Sequence, residues 1–94
     1  MFDKSRYLTR GVQAEIPFEL QLVMWSCIDE LPDPKDYLQV FRFSVSEGKQ
    51  LLSHEQEEPE YKKDYVLNTD THITQKVYVI DDGDYSTMLL AEEY

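Results

Sequence analysis

The stretch QKVYVIDDGDYSTMLLAEEY, Gln75 to Tyr94, decides the fold. It holds two apolar, β-prone runs, Val77–Ile80 and Tyr85–Leu90, on either side of Asp82-Gly83. Asp-Gly so flanked is a strong hairpin signal, because a type I′ turn needs positive φ at both central residues. A calcium loop would instead need acids at every second position over about twelve residues, closed by a Glu. Asp81, Asp82 and Asp84 lack that spacing, so the acid cluster reads as a turn. STMLLAEE also carries strong helix formers behind a Ser or Thr that could cap, which competes with the strand reading. The expectation is strand through about Leu90, with Ala91–Tyr94 turning away.

Working backwards, YKKDYVLN reads as a strand with Tyr61, Lys63, Tyr65 and Leu67 on one side. The segment NTDTH is a polar loop, and EEPE breaks the strand before it, since Pro59 cannot donate to a ladder. QLLSHEQ returns from a Gly-containing turn in SEGKQ. Before it, Phe41, Phe43 and Val45 alternate with Arg42, Ser44 and Ser46, the period-two pattern of a half-buried strand.

The convincing helix is Pro17–Leu31. Pro17 suits a first turn, Glu19 complements the positive end of the dipole, and Pro32 and Pro34 end it. At 100° per residue Leu20, Val23, Met24, Cys27, Ile28 and Leu31 form a broad core face. Phe18, Leu22 and Trp25 fall nearly opposite, with Asp29 beside them. Either an N-terminal segment carrying Phe2, Tyr7 and Leu8 covers this second stripe, or Phe18, Leu22 and Trp25 form a protein interface, a homodimer being one use. YLTRGV, Tyr7–Val12, reads as a short extended segment ending near Gly11.

The expected fold is α+β, one domain over 1–94: one main helix packed on a curved antiparallel sheet of four or five strands. The expected core is Leu20, Met24, Ile28, Leu31, Phe41, Phe43, Val45, Val79 and Leu89. Formal net charge is −10, a field that repels phosphate backbones and acidic membranes. The partner expected is therefore a protein or a second copy, with no direct nucleic-acid or membrane contact. One cysteine excludes an internal disulfide and points to a reducing, cytoplasmic setting. His54 and His72 lack zinc-site spacing, no nucleophile elbow is present, and the three glycines make no phosphate loop. No cofactor, metal or catalytic residue is expected, and the chain leans away from being an enzyme. Arg42, on an alternating strand, is the residue whose placement on the sheet matters most. Two other readings stand beside the interaction module. One is an acidic mimic of nucleic acid that occupies a basic partner. The other is a ligand-binding or enzymatic domain with a pocket between helix and sheet.

YLTRGV, IPFELQLVMW, LQVF and the closing YVIDDGDYSTMLLAEEY resemble a known family over almost the whole chain, the closing motif most specifically. That family is domain of unknown function family 960, small proteins of low-GC Gram-positive bacteria, their phages and mobile elements. The resemblance implies a helix on an antiparallel sheet and a bacterial cytoplasmic setting. It implies no activity, cofactor or catalytic residue, and it is silent on Phe18, Leu22 and Trp25.

Overall fold

The structure, a computed structural model, describes residues 1–94. Six strands form one sheet: β1 (Ser5–Leu8), β2 (Leu38–Ser46), β3 (Lys49–Gln56), β4 (Tyr61–Leu67), β5 (Gln75–Asp81) and β6 (Tyr85–Leu90), in the order β1-β6-β5-β2-β3-β4. Helices α1 (Arg10–Glu15) and α2 (Phe18–Glu30) follow β1, and a 3₁₀ turn, Ala91–Glu93, follows β6. No helix is long and apolar enough to cross a membrane.

This corrects the expected fold class. The molecule is mostly sheet, with six strands, and the sheet is mixed because β1 lies parallel to β6, Ser5 opposite Tyr85 and Leu8 opposite Met88. Only α2 is a helix of substance. The short β1 adds at the sheet edge through a partner some eighty positions away, and four residues carry no period to announce it. The N-terminal reading changes with it: the extended segment ends at Leu8, and α1 begins at Arg10, capped by Thr9, whose hydroxyl accepts from the Val12 amide at 3.3 Å.

Helix α2 forms as its face predicts. Leu20, Met24, Cys27 and Ile28 are buried, and Pro17 sits one position before the first helical residue. They pack on Phe41, Phe43, Leu52, Val77, Val79, Met88 and Leu90, with Phe2 inserted among them. Strand existence holds throughout, but two faces are corrected. Ser86, Met88 and Leu90 point into the core, so Leu89 lies on the opposite face, a one-residue difference that reverses a strand. Val45 is exposed because β2 runs past the helical cover.

The tight positive-φ turn lies elsewhere than expected. Glu47 (φ 53°) and Gly48 (φ 74°) both adopt it between β2 and β3. Between β5 and β6 three residues intervene and only Gly83 has positive φ (104°). There Asp81 Oδ1 accepts the Gly83 amide at 2.7 Å, an Asx turn that selects the longer loop. Asp81 Oδ2 accepts the Phe2 amide at 2.6 Å, so the acid at the head of the cluster is spent on backbone.

The two ends of the chain are knitted together. Glu93 accepts from the Thr9 hydroxyl at 2.7 Å, the Leu90 amide at 2.8 Å and the Gly11 amide at 3.2 Å. Gly11 leaves room for that approach: a Cβ there would lie 2.5 Å from Glu93 Oε2 and push the carboxylate off these donors.

Candidate functional site

With both helices on one face, each strand presents alternate residues to a second, uncovered face. Four features compete for attention: the outer stripe of α2, the uncovered face, the polar cluster around His54, and Cys27.

On the outer stripe, Phe18 is 69% exposed and Leu22 is 51% exposed. Trp25 is separated from them in character. It is half-buried, packs against the core, and carries the Arg6 guanidinium over its ring at 4.6 Å. Arg6 donates to the Phe2 carbonyl at 2.9 and 3.1 Å and pairs with Asp29 one turn beyond Trp25. The N-terminal segment thus covers Trp25 and leaves Phe18 and Leu22 open. It does so with Arg6, whereas Phe2 goes into the core and Tyr7 and Leu8 stay exposed. A hollow of about 460 Å³ beside Phe18 is lined by Leu8, Ile16 and Pro17.

The uncovered face carries Leu38, Val40, Arg42 and Ser44 of β2. Cross-strand pairing sets Ser53 and Lys76 on either side of Arg42, and Glu55 and Tyr78 on either side of Val40. Two hollows of about 750 and 770 Å³ lie here, away from α2, and both are lined by Arg42, Lys62 and Lys76. These hollows lie on the opposite side of the sheet from the pocket expected between helix and sheet. Arg42 is half-exposed and paired with Glu55. The aromatic pairs Tyr7–Tyr85 and Tyr78–Tyr94 meet edge to face, ring centroids 5.5 and 5.4 Å apart.

Sequence reasoning missed the buried polar cluster. His54 is fully buried, stacked on Phe41 at 4.4 Å, with Tyr61 at its edge. Gln39 Nε2 donates to the Asp36 carbonyl and to Gln56 Oε1, each at 2.8 Å. That orients Gln39 Oε1 toward His54 Nε2, 2.6 Å away, so Nε2 carries the proton. Nδ1 is left shielded and without a partner. A second proton would have no acceptor, and burial pushes the pKa down to about 4. The signal was present in the alternation: Gln50, His54 and Gln56 share the Leu52 face, against their polar character. His54 is a structural base that stays neutral. Cys27 is also unsuited to chemistry, because burial raises its thiol pKa above the usual value.

None of the curated proteins matches this chain. Among solved structures, a protein of unknown function from Enterococcus faecalis is similar. Its crystal structure gives a TM-score of 0.82 at 26% identity, over 98% of this chain and 92% of that one. The family model described as "Staphylococcal protein of unknown function (DUF960)" matches residues 5–93, almost every element described above, and the chain belongs to that family.

Proposed function

We propose that this protein is a non-enzymatic interaction module that self-associates through the outer stripe of α2. The observation that supports this reading is the exposure of Phe18 and Leu22, one turn apart on a helix whose other face is already buried. A second copy is the favoured occupant because an apolar stripe needs no complementary charge opposite it. Two-fold pairing sets the same stripe against itself.

The magnitude fits a weak dimer. Full burial of such a side chain is worth about 1.5–3 kcal/mol, and these two are already partly covered. Two from each copy would contribute roughly 4–8 kcal/mol, which after the cost of association leaves at best an affinity of about millimolar. Trp25 flanks Phe18 and Leu22 with the part of its ring that Arg6 leaves uncovered. The charge of −10 opposes self-association, so salt should strengthen it by screening.

Light scattering over a concentration series, at low and at moderate salt, tests the reading. A mass rising toward the dimer, and returned to the monomer by Leu22→Glu, would support it. A monomer at every concentration and salt level, or a dimer untouched by Leu22→Glu and Phe18→Glu, would sink it. Trp25→Glu is the poorer variant, because Trp25 also packs against the core.

A further inference from the structure

The uncovered face of the sheet carries a feature independent of the helix stripe. Arg42 on β2 and Lys76 on β5 are direct cross-strand partners on that face. Like charges so placed repel, and a strand pair is destabilised by holding them together. Each turns aside: Arg42 to Glu55, Lys76 over the Tyr78 ring, with Nζ 5.4 Å from its centroid. Lys62 joins them from β4, opposite Glu55 in the register.

The two hollows that share this basic trio differ in sign. The second adds Asp36, Glu55, Glu57 and Glu60 to it and is net negative. The first, about 750 Å³, adds only Asp64 and keeps two positive charges on a chain of net charge −10. Its floor is apolar at Leu51 and Val66, the latter 65% exposed. Ser53, between Asp64 and Arg42 in the cross-strand row, has a shielded hydroxyl with no hydrogen-bond partner. The volume falls in the range of small-ligand sites, about 300–1,000 Å³.

We propose that the first hollow binds a small amphipathic carboxylate. The head group bridges Arg42 and Lys76, accepting the planar fork of the guanidinium, and the apolar body lies on Leu51 and Val66. When Arg42 turns to the ligand, Glu55 takes Lys62, its cross-strand neighbour, as a replacement cation.

Titration of ¹⁵N-labelled protein with 2-naphthoate, followed by amide shifts, tests this, with neutral 2-naphthamide and with acetate as separate arms. The expected result is saturable shifts at Arg42, Leu51, Ser53, Val66 and Lys76 with 2-naphthoate only. Arg42→Gln and Lys76→Gln should each weaken it about fivefold, the scale of a partly exposed ion pair, while Leu22→Glu leaves it unchanged. Equal binding of 2-naphthamide, shifts centred on Phe18 and Leu22, or no saturable shifts at millimolar probe would each overturn the proposal. Because Leu22→Glu abolishes the self-association proposed above without touching this hollow, the two readings fail separately.

Discussion

Lowering the pH from 7.5 to 5.5 should cost this protein about 1.4 kcal/mol through His54 alone. The folded pKa is about 4, against 6.5 for a free imidazole. A depressed pKa means that the unfolded chain takes the proton first. The contribution is therefore whole above pH 6.5 and is lost as pH falls toward 4. Two and a half units correspond to about 3.4 kcal/mol at the acid limit, of which roughly 1.4 is gone at pH 5.5. With a urea slope of about 1–1.5 kcal/mol/M for a domain of this size, the midpoint should move down by about 1 M. This window lies above the range in which most carboxylates titrate, so the acidic surface contributes little to the change. His54→Phe supplies the control. It leaves Gln39 Oε1 without its donor and lowers stability by about 1–3 kcal/mol at pH 7.5, but its midpoint should be nearly flat between 7.5 and 5.5. Urea melts of both proteins at the two pH values make the measurement. If wild type and His54→Phe fall in parallel, His54 does not carry the pH dependence and the orphaned Nδ1 has no energetic consequence.

The other expectations concern the chain ends and the strand register. Gly11→Ala should lower the melting temperature, since the new methyl meets Glu93. In a Glu93→Ala background the same change should reverse sign and stabilise by roughly 0.5–1 kcal/mol, the ordinary gain of Ala over Gly in a helix; thermal melts of the four proteins read this out. The carboxyl of Glu93 is held below its usual pKa by the Thr9 hydroxyl and then the Leu90 amide. Its stabilisation is therefore present above the ordinary carboxylate range and lost as pH falls through its folded value, and Thr9→Val should blunt that acid limb. Met88→Ala should cost about 2–5 kcal/mol as a buried truncation, and Leu89→Ala distinctly less, by chemical denaturation. Equal costs would contradict the register of β6.

Most of the elements were legible because their periods are strong: β2 alternates cleanly, and α2 shows its core face at 3.6 residues per turn. What failed did so for identifiable reasons. In Tyr85–Leu90 both parities hold large apolar residues, so only the neighbours decide that Met88 and Leu90 go inward while Leu89 stays half-covered. Gln21, Gln39, Gln50 and Gln56 are buried, each held by hydrogen bonds to backbone or to one another. A hydropathy pattern places them outside and cannot see those partners. Helix α1, six residues long, is too short to show a face, and parallel pairing of β1 to β6 leaves no local trace. The outer stripe of α2 could be read from spacing, but its division into an open pair and a capped Trp25 depends on Arg6 from β1. Arg42 could be singled out from alternation. Lys62 and Lys76 could not be set beside it without the strand order.

The pairing of β1 with β6 also fixes when the fold can close during synthesis. Residues 5–8 are made well before residues 85–88, their only sheet partner. At translation speeds of roughly 5–20 residues per second, the first strand waits on the order of 4–15 s for the last. Until then Phe2 and the core face of α2 lack the β6 side of their enclosure, while the β2–β3–β4 meander, joined by short turns, can already assemble. Closure of this fold is therefore a late, long-range event: the meander is built from local pairings, but the β1 edge can be laid down only once β6 is free to receive it.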